Sequence, residues 1–120
     1  MIKGTWIEHR GHRIWFADYS GLAGETFVRA IHDTQQAFTS QNRPDGSGLI
    51  LNDIDDAVID TPALSALKET GVNVEPYVKK VAVIGVVGLK RMFLNIAVRF
   101  TGLTIQAFES RESALDWLVE

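Results

Sequence analysis

Cysteine is absent from the 120 residues, which removes thiol catalysis, disulfide staples and cysteine-ligated zinc from consideration. No apolar run exceeds about seven residues, far short of the roughly 20 that span a bilayer. The chain opens without the basic segment and apolar stretch of a secretory leader, so a cytoplasmic protein, at most peripheral to a membrane, is expected. An excess of positive charge is also missing. The net charge is −3, which argues against a general nucleic-acid binder, because phosphate recognition needs a basic field. Internal repeats and linker composition are lacking, and a chain of this length buries on the order of two thirds of its unfolded surface, enough for one domain over residues 1–120.

Charge is nevertheless unevenly placed. Asp45, Asp53, Asp55, Asp56, Asp60, Glu69 and Glu75 face the single Lys68 in the middle of the chain, whereas Lys79, Lys80, Lys90, Arg91 and Arg99 follow with no acid among them.

The strongest pattern lies between Tyr77 and Gly102. The apolar run Val81-Ala82-Val83-Ile84-Gly85-Val86-Val87 does not alternate, so it reads as a strand covered on both faces, and Gly85 and Gly88 turn it into a helix opening with Lys90 and Arg91. Thr5–Arg10 and His12–Asp18, separated by Gly11, read as a hairpin. A helix follows from Gly24 with Phe27, Val28, Ile31 and Phe38 on one stripe. After the Asn42–Gly48 loop, Leu49–Leu51 forms a short buried strand. Thr61 as N-cap and Pro62 at the first helical position start a second helix, which Gly71 and Pro76 are expected to end or bend. The third helix runs from about Leu89 to Phe100, Thr104–Phe108 is the last strand, and Ser110 caps a final helix carrying Ala114, Leu115 and Leu118 inward. The resulting order predicts an α/β fold: a βα superhelix with a mixed five-stranded sheet, mostly parallel after the N-terminal hairpin, and four helices.

The segments P-Y-V-K-K-V-A-V-I-G-V-V-G-L-K-R, F-T-G and E-S-R-E-S-A-L-D-W-L resemble the SpoIIAA-like branch of the STAS domains, a branch related in fold to the CRAL-TRIO lipid-transfer domains. The resemblance covers the chain from Arg13 onward, and it implies a compact module without catalysis or cofactor. In the anti-sigma-factor antagonists of the wider group the turn after the central strand reads roughly D-S-S-G-L, with a phosphorylated serine. Asp60-Thr61-Pro62-Ala63-Leu64 is the matching stretch, which places Thr61 at the phosphoacceptor position, with Pro62 and Ala63 in place of the second hydroxyl residue and the glycine.

Four groups of residues are candidates for function. Thr61 would present a phosphoryl group at a helix N-terminus. Asp53, Asp55, Asp56 and Asp60 fit no calcium-loop spacing and read as a solvated loop, so no metal is expected. The Gly85–Gly88 turn is a candidate anion site by its position before a helix, without the spacing of a phosphate-binding loop. In the third helix, Leu89, Met92, Phe93, Ile96, Ala97 and Phe100 are expected to face the sheet, leaving Leu94 and Val98 outside among Lys90, Arg91, Asn95 and Arg99.

That surface suits a membrane interface or an acidic partner. His9, His12 and His32 supply no nucleophile, base and orienting group together. The leading expectation is a non-catalytic binding module that holds a lipid or apolar small molecule, or meets an anionic membrane, through residues 89–100. The alternative is a protein-interaction switch at Thr61. A protein partner and a homodimer are both compatible with the sequence.

Overall fold

A two-residue turn sets the first pairing of the sheet. Arg10 and Gly11 both take positive φ, 50° and 82°, a geometry that matches the right-handed twist of the strands on either side. Gly4–His9 (β1) and His12–Asp18 (β2) therefore pair antiparallel, with His9 opposite His12. This is seen in a computed structural model that describes residues 3–120.

From β2 onward, strands and helices alternate. Gly24–Ser40 (α1) leads to Gly48–Asp53 (β3), Thr61–Val74 (α2) to Val78–Ile84 (β4), and Lys90–Thr101 (α3) to Ile105–Phe108 (β5), before Arg111–Leu118 (α4) closes the chain. The strands lie in the order β1-β2-β3-β4-β5, parallel from β2 to β5. The mixed five-stranded sheet and the four helices are those predicted from the sequence.

Each crossover from β2 steps to the next strand in the same direction, and right-handed crossovers then put α1, α2 and α3 on one face. Trp15, Ile50 and Val81 point to that face and form the larger core with Phe27, Ile31 and Phe38 of α1 and Ala63 and Ala66 of α2. Ile14, Leu51 and Ala82 point to the other face, where Ala114 and Leu118 of α4 cover them. β4 is thus sealed on both sides, as its unbroken apolar run requires.

Two local expectations change. Asp60, not Thr61, is the N-cap of α2: its carboxylate accepts a 3.0 Å hydrogen bond from the Ala63 amide, and Pro62 falls within the first turn. Aspartate displaces threonine because its carboxylate also meets the positive end of the helix dipole. Gly71 neither ends nor bends α2, which continues to Val74. Its missing side chain serves packing instead, since a Cβ there would overlap the Thr101 side chain at the end of α3.

Candidate functional site

The third helix is the least embedded of the four helices. Among its residues only Thr101 is buried. The inward side is built by Lys90, Phe93, Leu94, Ala97 and Thr101, of which the first four are half-buried. Leu89, Met92, Ile96 and Phe100 stand 73%, 53%, 37% and 59% exposed. The helix is therefore turned by roughly a quarter revolution from the sequence expectation, at 100° per residue. Leu94, expected outside, packs against the core, whereas Val98 does lie outside, 37% exposed.

Two contacts set this rotation. Lys90 Nζ donates to the Ile54 carbonyl at 2.8 Å, and Thr101 seats against Gly71 while its hydroxyl donates to the Ala97 carbonyl at 2.7 Å. As the outermost helix of its face, α3 packs against α2. The stripe that α2 and the sheet cover is consequently not the most apolar stripe. Arg91 and Arg99 remain exposed, and Lys68 of α2 lies 4.4 Å above the Phe100 ring, a cation over an aromatic face.

Beneath α3 the packing is incomplete. A cavity of about 120 Å³ is walled by Trp15, Ala17, Ile50 and Val81 of the sheet, Thr34 and Phe38 of α1, Leu64 and Leu67 of α2, and Phe93, Leu94 and Ala97 of α3, with Lys90 at its edge. Ala17 and Ala97 leave space where larger side chains would fill it. Two of the lining residues, Trp15 and Thr34, only 3% and 2% exposed, carry polar atoms, Nε1 and Oγ1, that have no hydrogen-bond partner among the described residues. Unsatisfied groups at such depth are uncommon and costly. Tyr19 also lines the cavity; burial pushes its phenol well above the usual tyrosine range, so it stays protonated. The Thr34 hydroxyl lies beside that phenol without reaching hydrogen-bonding geometry.

A second, open cleft of about 600 Å³ lies at the carboxyl ends of β3, β4 and β5. It contains the Gly85 end of the candidate anion turn. Gly85 has φ 88° and Gly88 φ 58°, and a Cβ on Gly85 would stand 2.5 Å from the Asp55 amide nitrogen. The glycines thus serve turn geometry and close approach of two loops. The amides of Lys90, Arg91 and Met92 are already donated to the Val87, Gly88 and Leu89 carbonyls. Asp53, Asp55 and Glu109 share the cleft with Arg91, a mixed field with more acid than base.

Thr61 is exposed in the first turn of α2, immediately after the capping Asp60 carboxylate. Asp53 accepts a 2.9 Å bond from the Asp55 amide, and Asp55 and Asp56 are exposed. His9 Nε2 lies 2.8 Å from Asp116 Oδ1, which also meets Arg10 at 3.2 Å. That cluster ties β1 to α4 across 107 positions, a separation that leaves no local trace in the sequence. The polar lining of the cavity was more accessible. Thr34 interrupts the apolar stripe of Phe27, Ile31 and Phe38 at helical spacing, and Asn52 follows Ile50 on the same face of β3.

No protein-family model and no curated protein matches the chain. Among solved structures, an uncharacterised DUF3478-family protein of Shewanella loihica PV-4 with a SpoIIAA-like fold is similar to it at a TM-score of 0.68. The two are 21% identical, over 96% of this chain and 91% of the other.

Proposed function

We propose that this SpoIIAA-like fold works as a STAS-type binding module without catalysis, admitting an apolar small molecule into the cavity beneath α3. The observation that carries the reading is the apolar void itself, walled by Phe93, Leu94 and Ala97 of a helix that is weakly embedded. Its volume approaches the roughly 150 Å³ of engineered apolar cavities that take up benzene, although unlike them it is partly open to solvent. A group of about that size fits the cavity as it stands, whereas a long acyl chain requires α3 to move outward. Such movement is cheap when little apolar area holds an element down.

Titration with benzene and 1-hexanol, followed by amide resonances, tests the reading. Shifts at Phe93, Leu94, Ala97 and Val81, abolished in Leu94→Trp, are expected. Absence of shifts there with both probes would refute it.

The outward stripe favours a related second reading, contact with an anionic membrane surface. Leu89, Met92, Ile96 and Phe100 are exposed on one side of α3, Arg91 and Arg99 are exposed on the same helix, and the helix has no acid. An apolar face beside cations is what interfacial helices present. Flotation with anionic vesicles should carry the protein, neutral vesicles should carry less, and Phe100→Asp should reduce both. Equal recovery with the two vesicle types removes this reading.

A further inference from the structure

The polar groups on the cavity wall restrict what can occupy it, and this step rests on the cavity reading just given. Lys90 is the one charged residue among the described residues lining the cavity. It is half-buried, and its single recorded partner is neutral, the Ile54 carbonyl at 2.8 Å. Among the described residues, no carboxylate forms an ion pair with it. A half-buried ammonium whose hydrogen bond goes to a neutral carbonyl can form a charge-assisted bond with an anionic group supplied from outside. An ammonium carries three N–H vectors, so the bond to Ile54 leaves two for a ligand.

The remaining orphan groups can also donate. Trp15 Nε1 is a donor only, on the indole edge that lies against Gly4 of β1, and the Thr34 hydroxyl, beside Tyr19, donates or accepts and has no partner among the described residues. The buried Tyr19 phenol keeps its proton. A ligand that satisfies this wall brings acceptor oxygens and an apolar body. The acids Asp53, Asp55 and Glu109 line the neighbouring cleft and not this cavity.

We infer that the occupant is a small, mainly apolar carboxylate whose hydrocarbon part lies against Phe93 and Leu94 and whose carboxylate is held by Lys90. A charge-assisted bond of this kind discriminates against an uncharged analogue of the same shape.

Calorimetric titration of the full chain near neutral pH with phenylacetate and with 2-phenylethanol tests the inference. Phenylacetate is expected to bind about tenfold more tightly or better, the range of a bond to a charged group. It should shift the amides of Phe93 and Leu94, and folded Lys90→Met should lose the preference. Equal affinity for the two probes in the unaltered protein overturns the carboxylate assignment and leaves the cavity reading standing. A preference that survives in folded Lys90→Met, or shifts confined to Arg91 and Arg99, overturns it as well. Failure of both probes to bind removes the cavity reading and the assignment with it. The comparison in the unaltered protein decides the matter even if Lys90→Met does not fold.

Discussion

Lys90 Nζ and the Ile54 carbonyl, 2.8 Å apart, join the first residue of α3 to the loop that follows β3. The bond works as a latch. It crosses from a half-buried side chain to the backbone beside the cavity, at the end of α3 that has no buried residue.

Removing the latch should loosen α3 before it loosens the fold. In Lys90→Met, amide exchange along residues 91–100 is expected to accelerate, while global stability falls by only about 1 kcal/mol, the net value of one hydrogen bond. Hydrogen exchange read by mass spectrometry, beside urea denaturation, separates the two. Unchanged exchange in α3 would show that the latch holds nothing.

The cap of α2 can be assigned by paired substitutions. Asp60→Ala should cost about 1 kcal/mol through loss of the 3.0 Å bond to the Ala63 amide. Thr61→Ala, exposed and not capping, should change stability by less than about 0.5 kcal/mol. A reversed order in urea denaturation would restore threonine as the cap.

Gly85 and Gly88 should behave differently although both have positive φ. Alanine at Gly88 meets open space and should cost about 1 kcal/mol for the left-handed backbone alone. Alanine at Gly85 adds a collision with the Asp55 backbone and should cost upward of about 2 kcal/mol. Similar midpoints for the two variants would mean that the β3–α2 loop yields to the methyl group.

The sheet, the element order and both buried faces of β4 were readable because they rest on short-range rules: apolar runs, turn residues and crossover handedness. The facing of α3 was not. Periodicity reports which stripe is most apolar, here Met92, Ile96 and Phe100, and assumes that this stripe is covered. An edge helix is covered only where its neighbours reach, and the Lys90 bond to Ile54 and the Thr101 contact with Gly71 lie between residues far apart in sequence. The same limit applies to the site. Thr34 and Asn52 are polar residues at core-facing positions, a signal present in the sequence that its reading passed over, and that Trp15 and Thr34 line one cavity with Phe93 depends on how three elements pack.

Stability should fall in alkali because of Tyr19. Its folded-state phenol is raised above the unfolded value by burial, so near neutrality the native state gains from keeping the proton. As pH rises past about 10, the unfolded chain releases that proton while the folded one retains it, and the stabilisation is progressively lost. Urea midpoints measured on either side of that pH should decline in the unaltered protein and decline less in Tyr19→Phe. Parallel declines would place the titrating group elsewhere.

Because Gly71 lets Thr101 sit directly on α2, α3 is anchored at its final residue and only pinned at its first. A rod of 12 residues, about 18 Å long at 1.5 Å per residue, has the form of a lever on such a pivot. A tilt of roughly 10° would carry its tip by about 3 Å at that length while the hinge end stays seated. On the cavity reading proposed above, guests would then come and go without any melting of the helix.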